Sequence, residues 1–315
     1  MRELLNNKKS ISYIGLIFVV LVWGASPLAS KYFLNYYSPA FGVAWGSLLS
    51  AILLAIMFRE KLKEIKFDYF KVAIPLGVCY TSADLMQKIG LQYTTPTVYA
   101  FLENLSCVVV PFLTWFFIKK KPAVLQIVGS IICLVSAFVL SGLGSGDGGF
   151  SLGIGSILCG LAGIFYGVNI AGTGAFTKKF DSALYIMILL AIESIFSFMV
   201  AIAFHFIEID GAPIEIIRFS WNPWLLLSRI AIVLISSTLC WVIRTSSMKH
   251  VDATVVAVMM PFSSIISGVL SVLTGMEELT SNLVWGAILG FIAMIVCTFG
   301  DMHSNKSKKQ KKEFL

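Results

Sequence analysis

Charge is the scarcest property of this chain: 13% of its 315 residues are Asp, Glu, Lys or Arg, where a soluble domain carries about 25%. That is too little to clothe a soluble globule. Histidine is nearly missing. His205, His250 and His303 are the only three, and none stands in an H-E-x-x-H pattern, which excludes that class of zinc hydrolase. The glycine-rich P-loop pattern is absent too, which argues against ATP-driven chemistry by this chain alone, and no G-x-S-x-G nucleophile elbow occurs. The six cysteines, Cys79, Cys107, Cys133, Cys159, Cys240 and Cys297, all lie in apolar runs and none forms a C-x-x-C pair. They read as small packing residues, not as disulfides or metal ligands. No catalytic residue, metal or cofactor is expected.

What the chain has is apolar length. Hydrophobic residues make up 57% of it, with mean hydropathy +0.86. Ten runs near the 20 or so residues that cross a bilayer cover 11–30, 39–58, 71–91, 97–118, 122–142, 152–173, 183–206, 223–243, 252–274 and 281–301. The expected fold class is an all-α integral membrane protein of ten transmembrane helices. The first run is longer than the roughly 7–15 residues of a signal-peptide core, so it reads as a retained span. With the N-terminus placed in the cytoplasm, only Lys31, Lys88 and Arg218 fall outside, Arg229 lies within a span, and twenty Lys and Arg fall inside. Lys and Arg concentrate on cytoplasmic loops, so both termini are expected in the cytoplasm and the chain in the cell membrane. The net charge of +7 is then a consequence of topology. The basic tail at 302–315 is expected to be solvated or to rest on anionic lipid, with no nucleic-acid partner. The expected partners are the lipid bilayer and a small-molecule substrate, and the sequence sets no oligomeric state.

The chain also repeats itself. At an offset of 157, Thr97, Val98 and Ala100 fall on Thr254, Val255 and Ala257, Ser106 on Ser263, and Gly129 on Gly286. At an offset of 143, Trp23-Gly24 falls on Tyr166-Gly167 and Phe33 on Phe176. The loop around 208–222, which carries Glu208, Asp210 and Glu215, absorbs the difference. Each copy holds five runs, at 11–142 and 152–301, joined by the Gly/Ser-rich stretch 141–151. A duplicated odd unit crosses the membrane in opposite directions, which is the inverted repeat of many secondary transporters. Gly42-x-x-x-Gly46, Gly163-x-x-x-Gly167 and Gly286-x-x-x-Gly290 mark close helix contacts. Pro27, Pro75, Pro111 and Pro261 lie inside runs, where proline kinks a helix. Pro111 and Pro261 do not coincide under the 157 offset, so no symmetric hinge pair is expected.

On these residues the chain resembles the drug/metabolite transporter superfamily, specifically its proteins with two EamA repeats. The resemblance rests on Trp23-Gly24 and on G-L-Q-Y-T-T-P-T-V-Y-A-F-L at 90–102. It rests also on the partner stretch S-M-K-H-V-D-A-T-V-V-A-V-M at 247–259 and on the final helices from Gly129 and Gly286. Gly275-Met276-Glu277-Glu278-Leu279 resembles the family's G-E-R-L turn, whereas the first repeat reads Lys119-Lys120-Lys121-Pro122 there. The resemblance covers about residues 11–301. It implies ten helices, cytoplasmic termini and a small metabolite moved through a central cavity lined by the first, third and fourth helices of each repeat.

A charge near the bilayer centre costs roughly 2.5–3.5 kcal/mol, so each one in a span needs a reason. Asp84 and Glu103 lie at similar depth on consecutive spans and are the candidates for proton coupling. Lys88, four residues after Asp84, is expected to pair with it on the same helix face. Asn104 and Tyr99 extend a polar strip from Glu103. Glu193 lies mid-span on a helix that is peripheral in the family. Arg244, the repeat partner of Gln87, is expected to snorkel to the interface, with anion binding as the alternative, and Arg229 and Lys31 are expected to snorkel as well. Ser26 and its partner Asn169 offer neutral hydrogen bonds. Trp23, Trp45, Tyr80, Tyr99 and Tyr166 lie deep, and aromatic faces beside carboxylates suit organic cations and apolar amino acids. Trp221 and Trp224 read as interfacial belt residues. Trp241, the repeat partner of Asp84, completes the candidate substrate site of Trp23, Ser26, Tyr80, Asp84, Gln87, Tyr99, Glu103, Asn104, Tyr166, Asn169, Trp241 and Arg244.

The expected function is secondary transport of a small organic metabolite of amino-acid or amine type, as an exporter coupled to protons. The alternatives are a passive exchanger or uptake carrier of an organic cation or other metabolite, and a membrane protein without transport activity.

Overall fold

The computed structural model describes residues 2–103, 105–119, 121–140, 153–209, 212–213, 215–251, 255–256, 259–293, 295–296 and 299. The stretch 141–151, the tail 302–315, Asn104 and the repeat positions 252–254 lie outside the described residues.

The chain runs as α1 (Arg2–Phe33), α2 (Pro39–Met57), a 3₁₀ turn (Arg59–Glu64), α3 (Phe67–Gln92), α4 (Pro96–Glu103), α5 (Ser106–Ile118) and α6 (Val124–Leu140). It continues through α7 (Ile154–Phe176), α8 (Ser182–Phe206), β1 (Glu208–Ile209), β2 (Ala212–Pro213) and α9 (Pro223–Ile232). A π-helical stretch (Val233–Leu239), α10 (Cys240–Ser247) and α11 (Pro261–Leu273) follow, then α12 (Ser281–Ala293). The expectation of an all-α chain has one small exception, the two-residue antiparallel ladder in which Glu208 faces Pro213.

Local chemistry sets the boundaries. Pro39, Pro223 and Pro261 stand in the first turns of their helices, where the missing N–H costs nothing. Pro261 therefore opens a helix instead of kinking one, whereas Pro27, Pro75 and Pro111 lie inside α1, α3 and α5. Asp181 caps α8 by accepting from the amides of Ala183 at 2.9 Å and Leu184 at 3.3 Å. The α2 terminus is capped from a distance. Buried Glu215, in the loop after β2, accepts from Ala40 N at 3.1 Å and Phe41 N at 3.3 Å. α11 ends on Gly275 at φ 71° and α5 on Lys119 at φ 56°. The left-handed end is natural for glycine and strained for lysine.

Among the described residues, six helices are long and apolar enough to cross a membrane: Lys8–Phe33, Pro39–Met57, Pro96–Phe117, Ile154–Phe176, Ser182–Phe206 and Pro223–Ser247. Val124–Ser136, Phe262–Leu273 and Ser281–Ala293 are shorter apolar helices. α3 is 26 residues long but is diluted by Asp68, Lys71, Asp84 and Lys88, two of which belong to the site below. Around the outside, Ile14, Ile56, Phe116, Ile195 and Met199 are each more than 60% exposed. Apolar exposure on this scale fits a lipid-facing belt. Trp221 and Trp224 are 80% and 81% exposed, as interfacial aromatics should be. The chain is a multi-pass membrane protein.

Packing pairs the halves. α2 lies against α8, α3 against α7, and α10 against α1, while α5 packs on α7 and α11 on α1. Glycine permits the closest approaches. A Cβ on Gly90 would sit 2.8 Å from Gly155 O, and one on Gly155 would sit 2.7 Å from Gly90 O. Side chains tie the bundle together at both ends. Lys61 Nζ meets Asp181 Oδ2 at 2.8 Å, and Ser247 Oγ donates to Ser12 O at 3.3 Å. At the other end, Glu277 Oε1 accepts from Thr97 N at 3.0 Å and Thr97 Oγ1 at 2.8 Å. Lys31 does not snorkel: its ammonium caps the end of α3, donating to Leu91 O at 2.6 Å and Thr94 O at 2.9 Å. Burial alone would raise the Asp181 carboxyl, but hydrogen bonds from Lys61 and the Leu184 and Ala183 amides outweigh it and hold the group below its ordinary range.

Candidate functional site

Between the halves lies a cavity of about 980 Å³, counting the solvent at its mouth. Ten of the twelve candidates from the sequence line it: Trp23 and Ser26 from α1, Tyr80, Asp84 and Gln87 from α3, Tyr99 and Glu103 from α4, Tyr166 from α7, and Trp241 and Arg244 from α10. Asn104 lies outside the described residues. Asn169 is buried but off the cavity wall. Its Nδ2 donates to Leu76 O at 3.2 Å, so it ties α7 to α3 instead of offering a hydrogen bond to substrate.

One hydrogen-bond chain organises the outer part of the site. Lys88 Nζ donates to Ser30 Oγ at 3.2 Å and to Tyr99 OH at 2.9 Å. It lies 4.0 Å from Asp84 Oδ1, the expected i,i+4 pair. Tyr166 OH lies 3.0 Å from Asp84 Oδ1 and 2.9 Å from Gln87 Oε1. Gln87 Nε2 donates to Glu103 Oε2 at 2.6 Å. Asp84 thus has a cation and a phenol beside it, while Glu103 accepts from a neutral amide.

An irregular helix shapes the wall. The π-helical stretch Val233–Leu239 places Ser236 and Ser237 on the wall, and Ser236 O accepts from Trp23 Nε1 at 3.1 Å.

The inner floor is aromatic. Trp241 lies 5.3 Å from Trp23 and 4.5 Å from Tyr80, ring centre to ring centre, and Tyr80 lies 5.9 Å from Tyr166. Arg244 does not snorkel. It is 1% exposed, with its guanidinium 4.4 Å over the Trp241 ring and 5.8 Å from that of Trp23. α10 turns Trp241 and Arg244 into the cavity and Val242, Ile243 and Ser246 toward a second cleft, whose edge carries Lys8, Lys61 and Lys249. Arg229 also departs from the snorkelling expectation. It lines the cavity, its Nη2 donates to Gly42 O at 3.4 Å, and it lies 5.4 Å from the Phe33 ring. A smaller cavity sharing Ser30, Gly42, Lys88 and Arg229 leads on to Tyr37 and Ser38.

Sequence reasoning underweighted the second helix of each half. Glu193 of α8 is 1% exposed and lines the cavity, where Ser47 Oγ from α2 donates to its Oε2 at 2.6 Å. The signal was present in a lone acid mid-span. Placing that helix at the periphery discounted it.

Comparison with known proteins follows this geometry. Residues 10–142 match the profile of the EamA-like transporter family. The chain is 24% identical over 291 residues to an uncharacterized transporter of Archaeoglobus fulgidus, spanning 92% of this chain and 86% of that protein. It is 24% identical over 304 residues to the uncharacterized transporter YvbV of Bacillus subtilis, spanning 94% and 92%. A protein of known crystal structure superposes with a TM-score of 0.67 at 16% identity, over 92% of this chain and 98% of its own. That likeness speaks for the fold alone.

Proposed function

Proceeding from a multi-pass membrane transporter of EamA type, its family domain at residues 10–142, we propose that the chain is a secondary carrier of a small polar metabolite of amino-acid or amine type. It exports that metabolite in exchange for protons, and it acts as a carrier, not an enzyme. The observation that carries this reading is the central cavity, which gathers three acids (Asp84, Glu103, Glu193) and three bases (Lys88, Arg229, Arg244) inside an apolar bundle.

The site residues take separate roles. Glu103 carries the coupling proton and Asp84 is held by Lys88 and Tyr166. Trp23, Tyr80, Tyr99 and Trp241 give the substrate apolar and cation-binding faces, and Ser26 and Gln87 offer neutral hydrogen bonds.

The ten-helix, inverted-repeat arrangement at 11–142 and 152–301 is supported by the packing. Exchanging the first five spans for the last five turns the α3–α7 contact into that of α10 with α1, and the α5–α7 contact into that of α11 with α1, and leaves α2–α8 in place. A Ser136–Gly286 hydrogen bond at 2.7 Å joins the fifth span to the tenth. Placement in the cell membrane with both termini in the cytoplasm is supported by the Lys and Arg asymmetry.

Purified protein in liposomes under an imposed pH gradient tests the function. Uptake of at least one amino acid or amine, abolished when the gradient is collapsed, is the expected result. Movement that ignores the gradient leaves a passive exchanger. No movement across a broad panel overturns the transport reading.

A further inference from the structure

Two charged side chains in the cavity are buried without a full set of partners. Arg244 is 1% exposed, and its Nε and Nη1 find no hydrogen-bond partner among the described residues. Its guanidinium lies 4.4 Å over the Trp241 ring and 5.8 Å from that of Trp23, and those two N–H groups are left to bind. Glu193 is 1% exposed as well; Ser47 satisfies its Oε2, and its Oε1 has no hydrogen-bond partner among the described residues. Both residues line the same cavity. Among the described residues neither has a counter-ion within 4.0 Å, whereas Asp84 in the same cavity has Lys88.

Leaving a buried charge unpaired is costly, and the cost disappears when a ligand supplies the opposite charge. A guanidinium held over an indole presents N–H groups in one plane, the geometry that a carboxylate accepts in a bidentate manner. An ammonium group donates to a carboxylate oxygen such as Glu193 Oε1.

We propose that Arg244 is the carboxylate subsite of the cavity and Glu193 its ammonium subsite, so that the substrate is a zwitterion bearing both groups, with its apolar part against Trp23, Tyr80 and Trp241. This rests on the transport reading above and narrows it: an amine without a carboxylate satisfies one subsite and leaves Arg244 unpaired. Lysine at position 244 keeps the charge but not the planar fork. Glutamine removes both the charge and the fork.

The test is counterflow in proteoliposomes with three matched pairs: leucine and isoamylamine, phenylalanine and phenethylamine, lysine and cadaverine. Wild type is expected to favour the amino acid of at least one pair by about 30-fold, the scale expected when one partner of a hydrogen-bonded charge pair is missing. Arg244→Gln is expected to erase that preference while amine movement persists, and Arg244→Lys to fall between. Thermal unfolding of each variant reports whether it is folded. Where Arg244→Gln does not fold, competition on the wild type decides: amines that compete as well as their parent amino acids overturn the proposal. So does a folded Arg244→Gln protein that keeps the preference. In both cases transport itself stands. A wild type that moves no member of any pair overturns this proposal, and the broader panel under the pH gradient then decides the transport reading.

Discussion

Glu103→Gln is expected to reduce pH-gradient-driven uptake on the order of tenfold or more, while counterflow of the same substrate without a gradient stays near the wild-type rate. The substitution is nearly isosteric. Gln87 Nε2 donates to Glu103 Oε2 at 2.6 Å, and a glutamine carbonyl accepts the same bond. What is lost is the proton. Asp84→Asn should behave differently, because Asp84 is engaged by Tyr166 OH at 3.0 Å and by Lys88 at 4.0 Å. Removing its charge leaves the Lys88 ammonium without its partner in the cavity, so folding stability and both transport modes should fall together. A Glu103→Gln protein that keeps full gradient-driven uptake removes Glu103 from the coupling role.

Gly163→Ala is expected to destabilise the bundle by about 1–3 kcal/mol, the usual cost of overpacking a filled interior. The added Cβ would lie 2.5 Å from Leu102 O, 2.9 Å from Glu103 O and 3.1 Å from Leu105 Cβ. Two of these are backbone carbonyls at the end of α4, so no side-chain rotation relieves the contact. The chain at Glu103 has to move, and transport should fall with stability. Gly160→Ala, one turn earlier on α7, is the control. Its Cβ would meet Leu105 Cδ1 at 3.6 Å, an ordinary contact, and alanine is the better helix former. Thermal unfolding in detergent reads the difference. Equal unfolding temperatures for the two variants would rule out Gly163 as a close contact of α7 with α4.

Much of this site was legible in the sequence because charges are rare in spans and expensive there. Asp84, Glu103 and Glu193 stand out on that ground alone, and the i,i+4 spacing of Asp84 and Lys88 already implied their pairing. The expectation of a two-fold pattern came from small and aromatic residues that recur at fixed offsets. Azimuth was not legible. Hydropathy gives depth, and at the depth of Arg244 a long cation beside the interface ordinarily reaches for water. Only the approach of Trp23 from α1, more than two hundred residues away in sequence, shows that the side chain turns inward. Glu193 lies on a helix apolar around its whole circumference, so no stripe marks which face meets the cavity. The π-helical turn at Val233–Leu239 carries no proline; within it Ser236 O accepts from Trp23 Nε1, a tertiary contact.

The central claim is that one cavity serves both sides of the membrane in turn. Ser237 lines it from the π-helical stretch. With the six native cysteines replaced, Ser237→Cys can be probed with a membrane-impermeant thiol reagent added to either face of oriented vesicles. The account predicts reaction from both faces and protection by a transported substrate. Reaction from one face alone, with substrate present or absent, would contradict it.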